Sequence, residues 1–271
     1  MNISKYFDHA AETYNFTAIG INTQLFLALP FMLALVMYIL AVILSNRRHK
    51  PWPMYCIVYW IFGVFFATIA VAGPLANRAT VDFTVHMFGH LFLGMLAPLL
   101  MALAAPMTLM LRTLSVPSAR RLSRVLRSWP LRMFSHPVLA SVLNIGGLWL
   151  LYTTNLYSLM HENILLYLIV HIHVFLAGYS FTVSMIYIDP IPHRTPFLYR
   201  AIVFVVALAG HGILAKYIYA HPPKGVPVDQ AQLGGLIMYY GGDMIDIVII
   251  FILCLHWFKA TRPQIRLAES Q

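Results

Sequence analysis

Histidines within apolar segments are the residues whose type and spacing favour chemistry in this sequence. His86 and His90 are four residues apart, a spacing that places both imidazoles on one face of a helix. His171, His173 and His211 stand in equally apolar surroundings. Neutral imidazole is the commonest ligand of transition metals and suits copper, zinc and iron. The pattern predicts a metal site in which the i, i+4 pair is completed by histidines of other helices.

Two carboxylates and two thioethers accompany these histidines. Asp243 and Asp246 are expected to orient a ligand histidine or to accept a proton, as carboxylates around metal sites do. Met87 and Met244 are candidate soft ligands, because thioether sulfur suits Cu(I). Methionine ligands would favour copper, as Cu(I), whereas imidazoles alone leave copper, zinc and iron open.

The composition indicates that these side chains lie inside a membrane. Of 271 residues, 60% are hydrophobic and 10% are charged, whereas a soluble domain carries roughly 25% charged residues. A helix that crosses the hydrocarbon needs about 20 mostly apolar residues. Seven stretches meet this length, which predicts an all-α, polytopic bundle of seven transmembrane helices. They are residues 25–44, 54–75, 83–105, 138–156, 164–188, 197–219 and 236–257.

The basic residues predict the orientation of this bundle. The net charge is +9, but the lysines and arginines lie between the apolar stretches, which argues against nucleic-acid binding. They are concentrated after the first, third, fifth and seventh stretches, and the positive-inside rule places those loops in the cytoplasm. The N-terminus is then outside, with residues 1–24 as an exoplasmic segment, 25–258 as the bundle and 259–271 as a cytoplasmic tail.

This orientation places the candidate residues at similar depths. At about 1.5 Å of rise per residue, His90, His171, His211 and Asp243 each lie about 11–12 Å below the outer surface. Four helices therefore bring imidazoles and a carboxylate to one layer of the outer leaflet. His171 and His173 are two residues apart and point about 200° from each other on a regular helix, so both cannot enter one site.

Other interpretations of the same residues stay open at this point. A membrane histidine is often only a hydrogen-bond partner between helices, and methionine is usually a packing residue. Three alternative functions stay open. They are a copper transporter or resistance protein, a membrane protein that binds b-type haem through histidine pairs, and a purely structural chaperone. A transporter also needs ligands in the inner half of the bundle, which is almost wholly apolar. Motifs for enzymatic catalysis are absent at membrane depth, so we expect no enzyme.

Five segments, in this order, resemble the CtaG-type cytochrome c oxidase assembly factors, a family of integral membrane proteins. They cover the predicted third to seventh helices, well over half of the chain. The segments are VHMFGHLFLGMLAPLLMALAAPMTLMLR at 85–112, SHPVLASVLNIGGLWLLY at 135–152, HIHVFLAGYSFTVSMIYIDPIPHR at 171–194, GHGILAKYIY at 210–219 and DQAQLGGLIMYYGGDM at 229–244.

The resemblance implies a seven-helix protein of the bacterial cytoplasmic (inner) membrane that is needed to make active oxidase. It implies copper delivery to the copper-B centre of the haem–copper oxidase catalytic subunit. A soluble exoplasmic copper carrier is a further expected partner, and homo-oligomerisation is left open. Asp243 stands where the family often has a glutamate. The characteristic histidines of the family fall on His86, His90, His171, His173 and His211.

Overall fold

The fold is all-α, as predicted. The structure, a computed structural model, describes residues 20–190 and 194–262, and none of these lies in a strand. The predicted exoplasmic segment and cytoplasmic tail fall mostly outside the described residues. The helices are α1 (Ile21–Arg48), α2 (Met54–Val71), α3 (Pro74–Ala79), α4 (Phe83–Leu103), α5 (Pro106–Thr113), α6 (Val116–Leu126), α7 (Trp129–Phe134), α8 (Pro137–Thr153), α9 (Leu156–Glu162), α10 (Ile164–Met185), α11 (Phe197–Ala220) and α12 (Val228–Thr261).

Six of these helices, namely α1, α2, α4, α10, α11 and α12, are long and apolar enough to cross a membrane. The predicted fourth span is α8, which is followed by α9 at a bend of 80°. Thr153 and Thr154 end α8, because their hydroxyls donate to the carbonyls of Trp149 and Leu150 and so satisfy acceptors of the last turn. Counted with this bent pair as one span, the described residues contain the seven spans that the sequence predicts.

Most span boundaries differ from the prediction by a few residues, and the end of the second span has a local reason. The second span ends at Val71 rather than at residue 75, because Gly73 adopts a positive φ of 87° and Pro74 begins a new helix. The fifth span ends at Met185, three residues early. The seventh begins at Val228 and contains 34 residues, about 51 Å of helix. It is therefore longer than the apolar core of a bilayer, and its first turns extend beyond it.

Helix α4 is the central element of the bundle and packs against α2, α10 and α12. In its most apolar stretch 67% of the residues are buried, against 22–39% in the other long helices. Residues Phe92–Leu96 form a π-helical turn just before Pro98. Pro98 has no N–H to donate to the carbonyl of Gly94, four residues earlier. The wider turn accommodates the loss of this hydrogen bond. The backbone of α10 contacts that carbonyl at Gly178, where no Cβ would fit.

A short helix and then the basic loop follow the third span. Pro106, which follows the third span, is the first residue of α5. The basic connection at 113–133 contains α6 and α7, and neither helix has a buried residue. The outer surfaces of the long helices carry large exposed apolar side chains, such as Leu25 and Phe26 on α1 and Phe251 on α12. These surfaces fit contact with lipid.

Candidate functional site

Helix α4 carries the predicted histidine pair into the interior. His86 and His90 lie one turn apart on the face of α4 that is turned inward, and their side chains are 9% and 6% exposed. Together with His171 of α10 and Tyr152 of α8, they line a cavity of about 30 Å³. A cavity of this size holds an ion or one or two water molecules. Three of the predicted histidines therefore share one space.

The hydrogen bonds of the pair are incomplete. The Nε2 atom of His86 lies 3.0 Å from the hydroxyl of Tyr152. Within the described residues, neither ring nitrogen of His90 has a hydrogen-bond partner, although both atoms are buried. Buried polar atoms are almost always paired, and an exception calls for an explanation such as a bound ion. His90 is thus the most incompletely bonded group of the interior.

His211 of α11 approaches His90 from the other side. The two ring centroids are 6.3 Å apart, and the rings are inclined by 27°. His211 is 5% exposed, and its Nε2 atom also has no hydrogen-bond partner in the described part of the chain. Gly242 of α12 makes room for the ring, because a Cβ there would lie 2.6 Å from Cε1 of His211. We call His86, His90, His171 and His211 the histidine cluster.

A buried carboxylate accompanies His211. Asp246 of α12 is 3% exposed, and one of its oxygens has no partner among the described residues. Asp246 and His211 line the same small cavity of about 10 Å³, together with Asn144 and Met95. An ionised carboxylate in such a place requires a cation or hydrogen-bond donors. A cation in this cavity would therefore stabilise the ionised form of Asp246.

His171 and His173 have different surroundings, as their spacing predicts. Nδ1 of His171 lies 2.9 Å from the carbonyl oxygen of Tyr167. A carbonyl only accepts, so Nδ1 carries the proton and Nε2 is the nitrogen with the lone pair, the arrangement typical of metal-ligand histidines. His173 instead bonds through Nε2 to the carbonyl of Leu143, 3.1 Å away, and packs in the space left by Gly147. His173 is absent from the lining of the cavity.

Three further candidates lie away from the cluster. Asp243 is exposed on the outside of α12, and Met244 beside it is 72% exposed. Met87 is fully buried but packs with Phe83 and Met238 in an apolar core. Asp246, one turn beyond Asp243, is the carboxylate that α12 turns into the bundle. The depth of a residue follows from its position along the helix, but the face it lies on depends on how the helices pack.

The sequence analysis did not select Tyr152, Tyr157 and His161, which extend the cluster towards one end of the bundle. The ring centroids of His161 and His86 are 6.4 Å apart, with Tyr157 in contact with both rings. His161 belongs to α9, which the sequence analysis treated as a loop. The available signal was its spacing of four residues from Tyr157. At this spacing on a helix, Nδ1 of His161 bonds to the Tyr157 carbonyl at 2.9 Å.

The arrangement consists of pairs rather than one many-ligand site. Among residues 20–190 and 194–262, no group of three or more histidine, cysteine, aspartate or glutamate side chains is placed to hold a metal ion. Two imidazoles that share an ion through bonds of about 2 Å have ring centroids up to about 6 Å apart. The His90–His211 pair, at 6.3 Å, is close to this limit. Two neutral imidazoles are a donor set that suits Cu(I).

Comparison with known proteins identifies relatives over most of the chain. An uncharacterized protein of Mycobacterium leprae is 28% identical over 82% of this chain. Uncharacterized proteins of Mycobacterium bovis and Mycobacterium tuberculosis are each 32% identical over 80% of it. The matched regions make up 36–37% of these relatives, so the chain spans little more than a third of their length.

The family comparison covers the helices described above. No solved structure matches the chain. Residues 36–260 match the family described as cytochrome c oxidase caa3 assembly factor, and this range contains the whole histidine cluster and all of α2 to α11. The chain therefore belongs to the cytochrome c oxidase caa3 assembly factor family.

Proposed function

We propose that the protein acts in the biogenesis of a haem–copper oxidase by holding copper in the histidine cluster and passing it to the copper-B centre of the catalytic subunit. In this role copper is cargo, and the protein catalyses no covalent reaction. The family assignment supports the link to the oxidase. The catalytic subunit is then a direct partner, and a soluble copper carrier on the outer side is the expected source.

One observation carries the copper part of this proposal. His90 and His211 come from two helices, have ring centroids 6.3 Å apart and have buried nitrogens without partners among the described residues. A protein that needed these histidines only to join helices would pair their nitrogens, as it pairs Nε2 of His173. An ion bound through one nitrogen of each ring would supply a missing partner to both histidines and would also compensate the nearby carboxylate of Asp246.

The small number of ligands fits a protein that must release its metal. A site with several thiolates binds copper too tightly for easy transfer, whereas two neutral imidazoles bind it more weakly. Of the two cysteines, Cys56 is buried and Cys254 is exposed. Neither lines the cavities of the histidine cluster.

The size of the cavities favours an ion over haem. The spaces that the four histidines line measure about 30 and 10 Å³, whereas pockets for cofactors range over roughly 300–1,000 Å³. The transporter alternative requires further ligands towards the other end of the bundle. There the interior contains the apolar side chains of Leu99, Phe181, Met185 and Phe204, and the buried side chain of Arg200 is a cation and no metal ligand. These observations favour storage and lateral transfer within one half of the membrane.

The proposal is tested in a cell that depends on the oxidase. Replacing His90 or His211 by alanine is expected to abolish oxidase activity while the protein stays in the membrane at its normal level. His136, an exposed histidine at the start of α8 that packs edge-on against Tyr199 outside the cluster, supplies the matched control. His136→Ala is expected to leave oxidase activity unchanged. Full activity in both His90→Ala and His211→Ala would refute the proposal.

A further inference from the structure

A vestibule with several polar side chains lies at the end of the bundle where α4 begins and α9 and α11 end. It has a volume of about 310 Å³, large enough for solvent and for part of a partner protein. Its lining includes Phe83, Tyr157, His161, Glu162, Lys224 and Gln230. The charges of the Glu162 carboxylate and the Lys224 ammonium group sum to zero there. Under the predicted orientation the vestibule opens to the outer side of the membrane.

Only one layer of aromatic side chains separates the vestibule from the histidine cluster. Phe83 and Tyr157 line the vestibule, and both of their rings contact the ring of His86, with centroids 5.9 and 5.0 Å away. His86 lines the inner cavity. His161, on the vestibule side of this layer, and His86, on the cavity side, have centroids 6.4 Å apart. A metal ion could thus pass between them by rotation of side chains, without movement of a helix.

The hydrogen bonds of His161 and His171 match each other. In both, Nδ1 donates to the backbone carbonyl of a tyrosine four residues earlier, Tyr157 or Tyr167, at 2.9 Å. This bond fixes the tautomer in which Nε2 has the lone pair that a metal binds. His161 therefore has the same ligand-competent form as a histidine that lines the cavity, although it stands at the vestibule.

We infer that His161 is the loading ligand of this protein: a Cu(I) ion that reaches the vestibule binds His161 first and then passes to His86, His90 and His211. This inference rests on the proposed function and adds the direction in which copper moves through the protein. The centroid separations along the route are 6.4 Å between His161 and His86 and 6.3 Å between His90 and His211. His86 and His90 are one helical turn apart.

The transfer requires only ligand exchange. At each step the bond between copper and one imidazole nitrogen breaks as the bond to the next imidazole forms. Copper stays Cu(I), and no electron is transferred. The absence of a group of three or more candidate ligands in the described residues agrees with a route made of pairs, because a many-ligand site would trap the ion. The route ends beside Asp246, where a cation compensates the buried carboxylate.

The test measures the rate of loading separately from the amount of metal bound. Purified full-length protein in detergent is mixed with Cu(I) held by a weak soluble chelator, and the transfer of copper is followed in time. His161→Ala and His161→Gln are expected to load about tenfold more slowly than wild type. Both variants are expected to reach the same final copper content, because the deep pair is intact.

The matched control is His221, which lies at the same end of α11 but stacks on Tyr217 outside the vestibule. His221→Ala is expected to load at the wild-type rate. Unchanged loading in both His161 variants, with wild type binding copper normally, would overturn the inference and leave the proposed function intact. Wild-type protein that binds no Cu(I) would overturn both.

A second experiment avoids the effect of a substitution on folding. Ser158 lines the vestibule, so Ser158→Cys in a Cys254→Ser background allows the vestibule to be blocked in the folded protein. A bulky thiol-reactive polyethylene glycol is expected to slow copper loading strongly, whereas a methylthio group is expected to have little effect. Equal loading rates with the two modifications would contradict a route through the vestibule.

Discussion

Two regions of this molecule use carboxylates in opposite ways. After α10, Asp189 accepts hydrogen bonds from the backbone N–H groups of Met107 and Thr108, at 3.0 and 2.8 Å, and from the Thr108 hydroxyl at 2.6 Å. These donors belong to the first turn of α5, so Asp189 acts as its cap. Beside the histidine cluster, Asp246 is 3% exposed and has an oxygen with no partner in the described part of the chain.

The difference separates polar groups that hold the fold together from polar groups that are kept ready for a ligand. Asp189 accepts these three hydrogen bonds, and nearby Tyr38 likewise donates to the carbonyl of Ala104. In the histidine cluster the nitrogens of His90 and His211 lack partners among the described residues and small cavities are present. Unpaired buried groups destabilise a protein, so we expect them where a ligand supplies the missing interactions.

The largest expected effect comes from His211, because its loss removes half of the central pair. His211→Ala is expected to weaken Cu(I) binding by more than about 100-fold, since a lost ligand costs more than the 10–100-fold seen for outer partners. Competition with a Cu(I) chelator on the purified protein measures this change. An affinity within threefold of wild type would place the metal elsewhere.

Exchange of the two carboxylates for amides tests the comparison directly. Asp246→Asn is expected to weaken Cu(I) binding at least about tenfold without lowering the thermal unfolding midpoint, because it removes an unpaired buried charge. Asp189→Asn is expected to lower the free energy of unfolding by about 1 kcal/mol, as for a lost cap, and to leave copper binding unchanged. The reverse result would show that Asp246 is the structural carboxylate.

Asp243 provides a control on the same helix. It carries the same side chain as Asp246 but lies on the outside of α12. Asp243→Asn is expected to leave Cu(I) affinity unchanged in the competition assay. A loss equal to that of Asp246→Asn would support the role that depth alone predicts for Asp243.

Two glycines allow a smaller test of the same distinction. A Cβ at Gly242 would lie 2.6 Å from the His211 ring, whereas a Cβ at Gly63 would lie 2.6 Å from the flexible Met101 side chain in an apolar core. Gly242→Ala is expected to displace the His211 ring and weaken copper binding several-fold, and Gly63→Ala is expected to affect stability alone. Copper titration and thermal unfolding of both variants separate these outcomes.

The smallest expected effect concerns the hydroxyl beside His86. Tyr152→Phe removes the group that lies 3.0 Å from Nε2 of His86. A hydrogen bond of this kind contributes about 1 kcal/mol, so we expect a change in copper affinity of about fivefold or less. A loss as large as that of His211→Ala would show that Tyr152 is itself required for binding.

The sequence predicted the membrane fold well because the length and composition of a span are local properties. All seven apolar stretches correspond to helices, and α4 carries His86 and His90 on one face, as their spacing requires. The ends of spans depended on turns that the apolar pattern does not reveal. The end of the second span is an example, where Gly73 adopts a positive φ.

The sequence was less informative about which side of a helix faces the bundle. Asp243 and Met244 were candidates by depth, but the packing of α12 against α4 and α11 places both outside. His161 was not selected as a site residue because it was expected in an outer loop, whereas α9 bends by 80° from α8 and brings its ring centroid to 6.4 Å from that of His86. Such relations depend on contacts between residues far apart in the chain, which a single sequence does not specify.

The central claim is tested most directly by the copper content of the full-length protein purified under reducing conditions. Wild type is compared with a His86→Ala/His90→Ala double variant and with His136→Ala. The account predicts about one copper ion per chain in wild type and in His136→Ala, and almost none in the double variant. Equal copper content in all three proteins, or none in any, would contradict it.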